Sequence, residues 1–185
     1  MDADRSALLL IDVINAMDFD DGPALLENFM PAAREVAALK ARALAADVPV
    51  IYCNDNFGAW REEFSETVRQ YCEGDVPGAG LCRLLAPDHP HYSVLKPANS
   101  GFYGTTLEVL LRYLQVRRLI LTGVTTDICI LFTANDAYMR DYELVIPHDG
   151  VAAVERHTGE MMLEYMRNVL KATTPACAEI AFTRG

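Results

Sequence analysis

Short apolar runs alternate along the chain with longer stretches of helical spacing. Ala7–Val13 ("ALLLIDV") is apolar at nearly every position, the pattern of a strand buried on both faces. Val48–Asp55 ("VPVIYCND"), His91–Lys96 ("HYSVLK"), Arg117–Gly123 ("RRLILTG"), Tyr142–Pro147 ("YELVIP") and Cys177–Thr183 ("CAEIAFT") read as five further strands. Pro31–Ala46 is rich in Ala, Leu, Arg, Glu and Lys and predicts a helix. Thr105–Leu114, Asp127–Arg140 and His157–Leu170 predict others. From Asn56 to Pro90 the pattern weakens. A helix is expected within Ala59–Gly74, but Gly74, Pro77, Gly78, Gly80, Pro87 and Pro90 break the region into a candidate binding loop.

Strands separated by helices imply right-handed βαβ units. The expected fold is therefore α/β: a three-layer α/β/α sandwich around a six-stranded, mostly parallel sheet of Rossmann-like type. One domain over residues 1–185 is expected, with no repeat and no low-complexity tract. In such sheets ligands bind beyond the carboxyl ends of the strands.

Three chemically distinct residues fall at that edge. Asp12 closes the first strand, Lys96 closes the third, and Cys129 opens the helix after the fourth. A nucleophilic thiol needs its proton removed. The first turn of a helix favours a thiolate there, Asp12 is placed to take the proton, and Lys96 to hold Asp12 ionised. The backbone N–H groups of Thr125 and Cys129 are candidates for an oxyanion hole. Each residue type also has a plainer use, as core thiol, turn carboxylate or solvated lysine. Their joint placement is what points to chemistry.

Composition narrows the partners. Apolar residues make up 51% and charged residues 23% of 185, the balance of a folded globular chain. The formal net charge of −10 repels phosphates, so nucleic acid is excluded as a partner. The apolar start is short and interrupted by Asp12, unlike a signal peptide or membrane span, so a cytoplasmic protein is expected. Cys53, Cys72, Cys82, Cys129 and Cys177 form no CxxC pair; the four other than Cys129 read as structural.

The segments "LLLIDVINAMDF", "SVLKPANSGFYGTTLEVLL" and "LILTGVTTDICILFTANDAYMRDYELVIPHDGVAA" together resemble the isochorismatase-like cysteine hydrolases. That family includes nicotinamidases and N-carbamoylsarcosine amidohydrolases. The resemblance runs from Ala7 to the last expected strand. It implies an Asp–Lys–Cys triad, carried here by Asp12, Lys96 and Cys129. It implies a cis peptide between Val124 and Thr125, turning the Thr125 N–H toward an oxyanion. It also implies a small-molecule substrate, no cofactor, and a homo-oligomer, dimer or tetramer.

Two departures matter. Nicotinamidases of this family carry an Asp and His cluster after the second strand that binds a metal. Here that stretch is "YCNDNFGAWREEF", with Asp55 but no histidine before His89 and His91. Solvated loop residues, and no metal, are therefore expected. Isochorismatases proper cleave a vinyl ether and lack the cysteine, so Cys129 favours hydrolysis of a C–N bond in a small amide or carbamoyl compound. A vinyl-ether hydrolase that relies on Asp12 and Lys96, or a non-catalytic binding protein on the same fold, are the alternatives. Asn54, Phe57, Trp60 and Phe102 are candidate pocket residues, with His148 a weaker one. Thr105 or Thr106 is expected to cap a helix, and Asn135 and Asp136 either to face a partner subunit or to bond within the fold.

Overall fold

The computed structural model describes residues 5–87 and 91–182. Six strands, β1 (Ser6–Ile11), β2 (Val50–Asp55), β3 (Tyr92–Lys96), β4 (Arg118–Val124), β5 (Glu143–Val145) and β6 (Val151–Ala152), form one sheet. Its order is β3-β2-β1-β4-β5, with β6 continuing beside β4, and every pairing is parallel. Leu8, Leu9, Leu10 and Ile11 of the central strand are completely buried. Each such side chain contributes about 1.5–3 kcal/mol of burial.

Successive side chains of β1 feed opposite faces. Leu8 and Leu10 join one core with helices α1 (Gly22–Ala45), α2 (Phe64–Glu73) and α3 (Ala79–Leu85). Leu9 and Ile11 join the other with α4 (Leu107–Tyr113), α5 (Leu131–Tyr138) and α6 (Arg156–Asn168). This is the expected three-layer arrangement, reached because a strand buried on both faces needs apolar residues at both parities. None of the described helices is long and apolar enough to cross a membrane.

Four expectations need correction. The first helix does not begin at Pro31 but at Gly22, and Pro31 lies inside it. Leu25 and Phe29, six and two residues before Pro31, are buried in the core and offset the roughly 3 kcal/mol that an interior proline costs. Of the Asn56–Pro90 region residues 56–87 are described, and they hold two short helices, α2 and α3, rather than one. The described part of the expected Cys177–Thr183 strand is not a strand: Cys177–Glu179 is a 3₁₀ turn lying on α1, and Thr183 lies outside the described residues. Arg42 of α1 donates to the carbonyls of Ile180 (2.6 Å) and Cys177 (2.5 Å), and takes groups a sheet would have used. The sixth strand is instead Val151–Ala152, opposite Gly123 and Val124. Finally, the expected Asp127–Arg140 helix opens as a π-helical turn, Thr126–Ile130, before α5.

Elsewhere other polar residues find internal partners. Thr106 takes the N-cap position of α4 without a side-chain cap bond, and Thr105 Oγ1, one residue earlier, accepts the Leu107 N–H at 3.1 Å. Asn135 donates to Leu131 O (2.8 Å), and Asp136 accepts from Arg140 (2.8 Å), so both bond within the fold.

Candidate active site

The carboxyl ends of β1, β2, β3 and the π turn after β4 meet at one edge of the sheet. Asp12 follows β1 with φ +53°, a left-handed conformation that Asp tolerates better than most residues. Its N–H still bonds to Cys53 O (3.1 Å), so the strand pairing holds up to the point where the chain turns. Its Oδ1 accepts the Asp55 N–H at 2.6 Å. Its Oδ2 lies 2.9 Å from Lys96 Nζ.

Lys96 ends β3, directly opposite Asp55 in the parallel register. Its side chain is completely buried. A buried ammonium is tolerated only with anionic partners, and Lys96 has two: Asp12, and Asp55 Oδ2 at 3.3 Å. Its third neighbour is Cys129 Sγ, at 3.4 Å.

Cys129 sits in the π-helical turn, a local form found frequently at functional sites. The N–H groups of Ile128 and Ile130 both donate to Thr125 O (3.2 and 3.1 Å), one on each side of the cysteine in sequence. The Val124–Thr125 peptide bond is cis. Just before it, Gly123 has φ +114°, and a Cβ there would stand 2.0 Å from Ile11 O. Only glycine lets β4 run this close to β1 at the site.

The electrostatics follow from burial. Burial pushes the Asp12 carboxyl above its ordinary range, against the opposing pull of Lys96. Burial, and then the Asp12 charge, push the Cys129 thiol up to about 12. Burial works against the Lys96 charge, but Asp12, Cys129 and Asp55 outweigh it and hold the ammonium above its usual value. The sequence reading has the helix start favouring a thiolate. Here burial beside a carboxylate outweighs that effect, and Cys129 rests as a thiol with the Asp12 carboxyl alongside.

A cleft opens over Cys129. Asp12, Asp55 and Thr125 line its polar side, and Phe19, Phe57 and Ile128 its apolar side. Thr125 Oγ1 is buried with no hydrogen-bond partner among the described residues.

Of the expected pocket residues, Phe57 lines this cleft and three others do not. Asn54 is fully buried beneath it, bonded to the backbone of Ile14. Trp60 is 76% exposed, because tight backbone bonds from Ala59 N to Asn56 O (2.7 Å) and from Trp60 N to Gly58 O (3.1 Å) turn the loop outward. Phe102 packs in the core shared with α4 and α5, its ring 4.8 Å from the Arg140 guanidinium carbon. His148 lines a separate depression with Asn28 and Arg156.

Asp55 is the residue that sequence reasoning undervalued. It is not a solvated loop residue but the second carboxylate on Lys96. The signal was available: Asp55 and Lys96 are the last residues of adjacent parallel strands. Asp55 also accepts the Phe57 N–H (2.7 Å), while the His91 ring lies against Phe64 and Tyr52. Among the described residues no three His, Cys, Asp or Glu side chains are grouped to hold a metal, and His89 lies outside those residues.

Comparison with known proteins agrees with this architecture. The isochorismatase domain model matches residues 6–179. The isochorismatase-family protein YaaI of Bacillus subtilis is 39% identical over 166 residues, covering 90% of this chain and 91% of that one. The ureidoacrylate amidohydrolase RutB of Methylorubrum extorquens is 28% identical over 169 residues, covering 76% of this chain and 67% of that one. The crystal structure of N-carbamoylsarcosine amidase from Thermoplasma acidophilum superimposes with a TM-score of 0.72 at 25% identity, covering 95% of this chain and 98% of that one. The chain belongs to the isochorismatase family.

Proposed function

We propose that this chain is a hydrolase that cleaves the C–N bond of a small amide or carbamoyl compound through a thioester on Cys129. One observation carries the reading. A buried ammonium, Lys96, contacts both a carboxylate and a thiol, at 2.9 and 3.4 Å, beneath an open cleft. The relatives named for amide hydrolysis support the reaction class.

The steps use the chain's own groups. As Cys129 Sγ attacks the substrate carbonyl carbon, its proton passes to Asp12, and the C=O electron pair moves onto oxygen. The N–H groups of Thr125 and Cys129 are the proposed donors to that oxyanion; losing one such donor typically costs on the order of 10²–10³ in rate. Collapse breaks the C–N bond, and Asp12 returns the proton to the leaving nitrogen. Asp12 then takes a proton from water, whose oxygen attacks the thioester, and the departing sulfur recovers the proton. Acid–base help of this kind is worth on the order of 10²–10⁴. Lys96 keeps a positive charge beside both Asp12 and the sulfur throughout.

The test is ammonia release from a panel of primary amides, carbamoyl compounds and ureas, with wild type and Cys129→Ala in parallel. Release by the wild type alone is the expected result. Turnover that survives in Cys129→Ala overturns the covalent mechanism, and survival on isochorismate in particular moves the assignment to a vinyl-ether hydrolase.

A further inference from the structure

The charge of the Cys129 cleft is unbalanced. Lys96 is completely buried under the site and faces two carboxylates, Asp12 and Asp55. Of the two, Asp55 is the one an arriving ligand meets: its side chain is 28% exposed, against 7% for Asp12. One ammonium shared by two carboxylates leaves a formal charge of −1 on the wall of the cleft. Besides Val124, Thr125 and Cys129, the remaining walls are Asn15 and Asn99 and the apolar Phe19, Leu25, Phe57 and Ile128. None of the described residues lining the cleft is Arg, Lys or His.

The Asp55 carboxylate is also fixed in place. Oδ1 accepts the Phe57 N–H at 2.7 Å and Oδ2 faces Lys96 at 3.3 Å. Phe57 has φ +48°, an uncommon conformation for a bulky residue, and its ring stands at the cleft beside the carboxylate. A carboxylate-bearing substrate in this cleft would find no cation to pair with and would lie against a fixed negative charge, on a chain of net charge −10. A cationic substrate would find both a carboxylate and aromatic faces.

We propose that this site, read as the amidase described above, takes uncharged or cationic amides with an apolar or aromatic substituent and rejects amides that carry a carboxylate, with Asp55 as the selecting residue. Ureidoacrylate and N-carbamoylsarcosine, the compounds in two relatives' names, both bear a carboxylate, so this chain differs from them in the charge it accepts.

The experiment has two readouts. One is kcat/KM on a matched trio: butyramide, 4-aminobutyramide and succinamate. The other is independent of turnover: the rate at which iodoacetamide and iodoacetate alkylate Cys129, followed by peptide mass spectrometry and normalised to each reagent's rate with free cysteine. In wild type the anionic member of each set is expected to be disfavoured by about tenfold, the order expected for one uncompensated charge at close range. The gap should narrow as salt is raised. Asp55→Asn keeps an oxygen for the Phe57 N–H while removing the charge, and should close most of the gap. Asn99→Lys adds a cation at an exposed position of the cleft and should close it even if Asp55→Asn fails to fold. Equal normalised rates for the two alkylating reagents in wild type, or a gap that both variants leave intact, overturn the proposal. Charge-selective alkylation with no amide turned over upholds the selective cleft and removes the amidase reading. Turnover without charge preference does the reverse.

Discussion

Asn54 grips Ile14 from both sides: its Oδ1 accepts the Ile14 N–H at 3.2 Å, and its Nδ2 donates to Ile14 O at 3.0 Å. The side chain is completely buried at the end of β2, and Ile14 lies two residues past Asp12. The pair ties the chain leaving β1 to the chain leaving β2, and so sets the approach of Asp55 N–H to Asp12 Oδ1 at 2.6 Å. Asn54→Ala leaves the Ile14 N–H and C=O buried without these partners. Each such loss costs about 1–3 kcal/mol, so a destabilisation of about 2–6 kcal/mol is expected in urea denaturation. A change within about 0.5 kcal/mol would show that Ile14 is satisfied in another way.

Gly123 makes a second, separable demand. Its φ of +114°, and the 2.0 Å that would separate an alanine Cβ from Ile11 O, leave no room for a side chain without moving β4 away from β1. Gly123 also donates to Gly150 O at 3.0 Å, which fixes it from the other side. Gly123→Ala should therefore cost more than about 2 kcal/mol, beyond the usual range for a glycine-to-alanine change at a compatible site. Equilibrium unfolding measures this. A variant as stable as wild type would mean that the β1–β4 pairing shifts at no cost.

How far the sequence reveals this arrangement depends on the length of each signal. β1 to β4 are runs of five or more residues whose apolar pattern is local, so their carboxyl ends, and with them Asp12, Lys96 and Cys129, can be read directly. β6 has two residues and no pattern to read. "CAEIAFT" is rich in apolar residues like a strand, but its Cys177 and Ile180 carbonyls are taken by Arg42, remote in sequence, and no local rule contains that fact. For Trp60 and Phe102, residue type alone suggests the pocket. One is turned to solvent by the two tight bonds of its loop, and the other is drawn into the core under Arg140. Asp55 needs the register of β2 against β3, a pairwise property that a single strand does not show.

The position of Asp12 sets an expected pH limb. In the proposed mechanism Asp12 must be ionised to accept the Cys129 proton, and burial raises its pKa above the ordinary 3.8. Activity is therefore present above the raised pKa and lost as pH falls through it. The acid limb of kcat/KM should lie above pH 3.8, which belongs to an unperturbed carboxyl. Asp12→Asn should abolish turnover at every pH. Asp55→Asn, which removes the second carboxylate near Lys96, should leave the limb in place. A limb at or below the ordinary value would assign the essential base to another group.

Cys129 predicts a change at the opposite end of the pH scale, in stability rather than rate. Its thiol is pushed from 9.0 to about 12 by burial first and the Asp12 charge second. Between those values the unfolded chain has released the proton and the native chain has kept it. The native state then binds more protons than the unfolded state, so stability falls as pH rises. The contribution is complete below pH 9.0 and disappears as pH climbs through the window, at up to about 1.4 kcal/mol per unit. Cys82, pushed up to about 11, and the buried Cys53 and Cys177 act in the same direction, so the wild-type decline is a sum. Cys129→Ser removes only one member of that sum, because a serine hydroxyl does not titrate there. The variant's stability should fall less steeply than that of wild type between pH 9.0 and the ordinary lysine value of 10.5, a range in which Lys96, itself raised, still keeps its proton. Urea midpoints taken at half-unit steps across that interval measure the two slopes. Parallel slopes would mean that Cys129 ionises in the folded protein as an ordinary thiol, and that Lys96, not burial, governs the nucleophile.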